Sequence, residues 1–150
     1  MTSPTSALFW ACLASTWFLT GLIWFVQVVH YPLFAAVPPE AFGAYHARHT
    51  RTTTSVVVVP MLVELLTSAA LLAWRPAWMS REAAVAGLIL AALVWASTAG
   101  VQVPLHARLS RGRDAAAIRR LVRTNAARAA LWTAHALLLL AVAARGGRPA

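Results

Sequence analysis

Four apolar runs, approximately residues 7–29, 52–74, 83–103 and 126–144, leave this chain few folds to choose from. Each approaches the roughly 20 residues a helix needs to cross a bilayer core. Backbone groups in hydrocarbon must bond within their own segment, so the runs predict transmembrane helices rather than an open sheet. Residues 1–150 therefore read as a single all-α domain, an integral membrane four-helix bundle built from two helical hairpins. Between the runs lie Pro38-Pro39, the Arg75-Pro76 turn before Ser80, and an arginine-rich segment around Gly112. These are ordinary breaker signals. Gly146 to Ala150 reads as a frayed tail.

The charge agrees with a lipid partner. Only 11% of residues are charged, against about 25% in soluble domains. The net +9 comes from arginines set against four acids, Glu40, Glu64, Glu82 and Asp114. Arginines spaced by apolar runs this long indicate membrane topology and headgroup contact. No basic stripe with base-stacking aromatics accompanies them, which argues against nucleic acid as a partner. The first and third connections carry Arg48, Arg51, Arg108, Arg111, Arg113, Arg119, Arg120 and Arg123, whereas the opposite side has Arg75, Arg81, Arg145 and Arg148. That bias predicts a multi-pass protein of the cell membrane, inner-membrane in type, with both termini outside and the polar connections in the cytoplasm. Met1 to Ser6 has no basic residue and the apolar run continues to Val29, so the first run reads as a retained span rather than a signal peptide. Cys12 stands alone in an apolar run, as an inert buried thiol would.

A short internal repeat supports the two-hairpin design. Val26-Gln27-Val28 precedes Pro32, and Val101-Gln102-Val103 precedes Pro104; Arg51-Thr52 and Arg123-Thr124 then lead into the following runs.

Near one end of every run stands a polar pair: Gln27 and His30, His46 and His49, Gln102 and His106, Asn125 and Arg128. Residues three or four apart share a helix face. Suppose the hairpins turn near Pro38 and Gly112. At 1.5 Å per residue, His30 and His46 then lie about 12 Å from the first tip and His106 about 9 Å from the second, with the remaining pairs up to about 24 Å away. All four helices thus place polar groups in one slab of roughly three turns. Deeper, Glu64 at about 39 Å and His135 at about 34 Å lie at comparable depth. An intramembrane carboxylate with an imidazole in reach is a functional candidate by default, and Thr20, Thr67, Ser97 and Thr98 are available as partners.

Imidazoles on facing helices suit a transition metal, with copper, iron or zinc as the candidates. His30, His46, His49 and His106 would be the ligands, and Gln27, Gln102 and Asn125 would stand behind them to fix ring tautomers. The carboxylate-rich pattern of a bundle di-iron site is missing, since only Glu40 is acidic nearby. A haem with His30 and either His46 or His106 as axial ligands is a weaker fit. Arg128, one turn inside the fourth run, would orient an oxygen-bearing hydrophobic or aromatic substrate, with Glu64 as a deeper acid or base. These residues together predict a small membrane oxidoreductase or oxygenase. The opposing class is a non-catalytic transport component or accessory subunit in which Glu64 and His135 form a proton path or a structural bond. Trp10, Trp17 and Trp24 recur every seventh residue, as a packing seam would.

Three segments carry a family likeness: His30-Tyr31-Pro32-Leu33 closing the first run, Pro104, His106 and Leu109 closing the third, and Leu121-Val122 through Asn125, Arg128 and Trp132 to the stretch 137–140. In these the chain resembles the anthrone-oxygenase-like family of small four-span membrane proteins. The resemblance implies oxygenation of a polycyclic aromatic substrate without a dedicated cofactor.

Overall fold

The computed structural model describes residues 3–146, and four helices account for nearly all of them. They are α1 (Pro4–Ala36), α2 (Pro39–Ala73), α3 (Arg81–Leu109) and α4 (Ala115–Gly146), each long and apolar enough to cross a membrane. Gly146 belongs to α4, so the helix runs into the region expected to fray. The rest of that expected tail, with Arg148, lies outside the described residues.

Local chemistry explains the helix starts. Ser3 Oγ accepts from the Ser6 N–H at 3.3 Å and Pro4 opens α1. Ser80 Oγ accepts from the Ala83 N–H at 3.2 Å before α3, and Asp114 Oδ1 accepts from Ala116 and Ala117 at 2.9 and 3.0 Å before α4. Each side chain satisfies donors that a helix N-terminus leaves free. Both expected hairpin tips are present. Pro38 stands in extended conformation between α1 and α2. Gly112, at φ 142°, makes the turn between α3 and α4 with a backbone that a side chain would strain. Arg113 Nη2 reaches across to the Ala35 carbonyl at 2.7 Å and ties the two tips together.

Two wide turns interrupt the regular helices, over Val26–His30 in α1 and Thr98–Gln102 in α3. In them the Tyr31 N–H bonds the Val26 carbonyl and the Val103 N–H bonds the Thr98 carbonyl, a π-helical step of five residues. Pro32 and Pro104 follow immediately. A proline has no N–H and crowds the carbonyl four residues back, and the widened turn accommodates both problems without breaking the helix. These turns also correct the register of the internal repeat. Val26 and Thr98, Pro32 and Pro104, and Arg51 and Arg123 share one spacing, since 98 − 26, 104 − 32 and 123 − 51 are all 72. The Val-Gln-Val match, at 101 − 26 = 75, is out of step with it. In the shared register His30 corresponds to Gln102, so the two hairpins use equivalent positions for different chemistry.

The helices pack in a ring: α1 on α2, α2 on α3, α3 on α4, and α4 back on α1. One apolar core, around Leu19, Ile23, Met61, Leu121 and Trp132, fills the half nearer the tips. A second, around Phe9, Cys12, Leu71 and Leu139, fills the other half. Trp10, Trp17 and Trp24 are 47%, 43% and 47% exposed and line the outer face of α1, so they form a stripe toward lipid instead of the expected internal seam. Among them Trp24 Nε1 donates to Thr133 Oγ1 on α4 at 2.9 Å.

Candidate functional site

All four histidines of the upper slab come together. His46 and His49 are buried, while His30 and His106 are partly so. His30 Nε2 lies 2.7 Å from His49 Nδ1, and His46 Nε2 lies 3.0 Å from His106 Nδ1. The two pairs form one cluster because the His49 and His106 rings stack at 5.4 Å. Phe42 stacks on His46 at 5.8 Å, and Phe34 meets His49 edge-on at 4.9 Å, so aromatic walls hold the rings from the tip side.

Two further groups complete the cluster, and neither was among the site residues predicted from sequence. Tyr31 Oη bonds His106 Nε2 at 3.0 Å, and Thr53 Oγ1 bonds His49 Nδ1 at 3.1 Å. A neutral imidazole has one N–H and one lone pair. His106 therefore either donates to His46 while accepting from Tyr31, or the reverse. Tyr31, His106 and His46 make one continuous hydrogen-bonded chain. The four-residue spacing of Tyr31 from Gln27 was the signal in the sequence that could have found it.

The amides behave differently from expectation. Asn125 Nδ2 donates to Gln27 Oε1 at 2.9 Å, and Arg128 Nη1 donates to Asn125 Oδ1 at 3.1 Å. Gln102 Nε2 donates to Thr124 Oγ1 at 3.2 Å. Among the described residues none of the three amides bonds an imidazole. Gln27 and Asn125 instead hold Arg128, whose guanidinium also lies over Trp132, 4.9 Å from the ring centroid.

A cavity of about 730 Å³ runs between the helices beneath this layer. Its polar end is formed by Tyr31, His46, His49, His106, Gln102 and Arg128, and its apolar floor by Leu19, Ile23, Met61 and Trp132. Exposed residues of α2 (Ala47, Arg51, Thr54) and of α3 (Val103, Ala107) also line it, so it opens sideways between those two helices. His30 stands behind His49, and Asn125 behind Arg128.

The deeper pair also meets, in a sealed setting. Glu64 and His135 are 0% and 1% exposed, with Glu64 Oε1 2.9 Å from His135 Nδ1. Thr16 Oγ1 donates to the same carboxylate oxygen at 3.1 Å, and Trp132 Nε1 donates to the other at 2.9 Å. The mid-span hydroxyls expected to help do not reach it. Thr20 bonds the Thr16 and Trp132 carbonyls, and Thr67 and Thr98 bond carbonyls of their own helices. Glu64 lies behind Trp132, outside the cavity wall. Cys12 is buried, with its sulfur 3.4 Å from Ser68 Oγ.

The four imidazoles are a donor set without a carboxylate. Among the described residues no three histidine, cysteine or acidic side chains already form a metal-holding group; the rings meet as two hydrogen-bonded pairs. In each pair, replacing the shared proton would leave two nitrogen lone pairs directed at the same space. Nitrogens bound tetrahedrally at about 2.0–2.1 Å to one ion stand about 3.3–3.4 Å apart, so rings now at 2.7 and 3.0 Å would part by a few tenths of an ångström to admit one.

No family model, curated protein or solved structure matches the chain.

Proposed function

We propose that this chain is a small membrane oxidoreductase or oxygenase that takes a lipophilic substrate from the bilayer and transforms it against the histidine layer. The observation that carries this is the meeting of a roomy, laterally open apolar cavity with three imidazoles, a phenol and a guanidinium at one end. Ligand sites are typically of this kind, about 300–1,000 Å³, mostly apolar, with a few convergent polar groups. His30, His46, His49 and His106 would hold a transition metal, copper, iron or zinc, through displacement of the shared protons. Bound there, the metal would supply redox or Lewis-acid chemistry. Arg128, steadied by Asn125 and Gln27, would orient an oxygen of the substrate. The Tyr31–His106–His46 chain would carry a proton to or from it. By the arginine bias, the layer faces the cytoplasm and both termini lie outside.

Metal analysis of detergent-purified protein tests this. Stoichiometric copper, iron or zinc, lost in both His46→Ala and His106→Ala, is expected. Its absence, or its retention in both variants, would sink the metal site, and a Soret band would move the assignment to haem.

A second reading is favoured by one detail: Tyr31 and His106 are hydrogen-bonded and both line the cavity, so the imidazole could draw a substrate proton through the phenol. It is a cofactorless oxygenase of aromatic substrates, in line with the family resemblance. Metal-free protein that consumes oxygen with a phenolic substrate would establish it. A transport or accessory role resting on Glu64 and His135 has less behind it, because that carboxylate is enclosed and accepts from three donors. Uptake that depends on pH and is lost in Glu64→Gln would be its signature.

A further inference from the structure

Arg128 is a buried charge without a counter-charge. The side chain is 7% exposed, Nη1 is engaged by Asn125, and the guanidinium plane covers Trp132. Its Nε has no hydrogen-bond partner. The ion pairs among the described residues are Arg108 with Asp114 and His135 with Glu64, so no carboxylate among them neutralises Arg128. A guanidinium cannot shed its proton at any ordinary pH. Burying it unpaired is costly, and such groups in membrane proteins face a pathway or a ligand.

A second unsatisfied group lines the same wall. Gln102 is 2% exposed, its amide N–H bonds Thr124, and its Oε1 has no partner. The cavity thus presents an unmet cation and an unmet acceptor above an apolar floor. Its side opening between α2 and α3 lets a molecule insert a polar head while an apolar chain stays in lipid.

We propose that the cavity binds a single-chain amphiphile with a monoanionic carboxylate head, which pairs with Arg128. This rests on the reading of the cavity as the seat of the substrate, and it adds the class of molecule. One fixed cation matches one negative charge. The planar guanidinium fork matches a carboxylate, with Nε as one of the free donors. A phosphodiester lipid offers the same monoanionic oxygen head on two chains, and the competition below separates the two sources.

The test is displacement of a fluorescent dansyl-undecanoate reporter from the purified full chain, in a metal-free buffer with chelator. The competitors are laurate, lauryl alcohol and dilauroyl phosphatidylglycerol. Laurate is expected to displace the reporter about 10- to 100-fold more effectively than the alcohol, the range for a charge-assisted hydrogen-bonded pair. Arg128→Gln removes that preference and Arg128→Lys keeps part of it. Equal displacement by alcohol and laurate from the unaltered protein overturns the proposal, and needs no variant to fold. Phosphatidylglycerol equalling laurate overturns the carboxylate assignment, and preference retained in Arg128→Gln removes Arg128 from it. The metal reading fails separately: protein that carries no metal as purified, before any chelator, and still prefers laurate loses the histidine centre and keeps the anionic ligand.

Discussion

The two polar layers of this bundle are made of similar groups and differ in what the protein does with their charges. At mid-depth Glu64 is enclosed, and its oxygens accept from Thr16, Trp132 and His135, three donors from two other helices; only His135 Nε2, on the far side of the ring, is left without a partner there among the described residues. Nearer the tips the imidazoles pair with one another, line an open cavity, and stand beside an unmatched guanidinium and an unmatched amide oxygen. A polar group that the protein itself satisfies is a joint between helices. One that the protein leaves facing a cavity is prepared for something that arrives. Mere presence of an acid or a histidine inside a membrane does not separate these cases; its partners do.

The largest effect that could break this contrast is loss of the deep carboxylate. Glu64→Ala leaves three buried donors unmet and is expected to cost about 3–5 kcal/mol, read as a large fall in thermal midpoint in detergent. A variant as stable as the parent would end the description of Glu64 as a joint. Next comes Gly87→Ala. The added Cβ would sit 3.2 Å from His135 Nε2, so the imidazole must shift against Glu64. A loss of about 1–3 kcal/mol is expected from the overpacking, and a neutral result would mean the deep layer has slack.

The upper layer should answer differently. His46→Ala removes one hydrogen bond and His106→Ala two, at about 1 kcal/mol each, while metal content or turnover falls to background. Collapse of the fold in both variants would place the upper layer with the lower as structure. Smallest is the effect of Asp114, which lies between α3 and α4. The Ala117 backbone N–H, and then Arg108, hold its carboxyl below the ordinary aspartate range. Its contribution is present above the ordinary pKa of about 3.9 and is lost as pH falls through the lower folded value. Asp114→Asn should flatten that part of the pH profile of thermal stability. An unchanged profile would remove the cap from the account.

Much of the architecture was legible because hydropathy and breakers act locally. The four runs, the tips at Pro38 and Gly112, and the common slab of the four histidines follow from length and a fixed rise per residue. The same arithmetic put Glu64 beside His135. It misjudged the amides, because depth does not say which way a side chain turns. Gln27 and Asn125 sit in the slab yet serve Arg128. Tyr31 was missed although it stands four residues after Gln27, because it read as part of the segment closing the first run and not as a polar group of the layer. The tryptophan stripe was misplaced because a seven-residue period fits a lipid-facing row as well as a packed seam.

The sequence by itself determined how many helices there are, where they turn, and at what depth each polar group lies, since those depend on hydrophobic length and backbone geometry. Only the tertiary structure decided which groups meet. Rotation of each helix about its axis, offset by the wide turns before Pro32 and Pro104, is set by packing among all four. That packing paired the histidines, closed the Glu64 layer, and left Arg128 facing an open cavity.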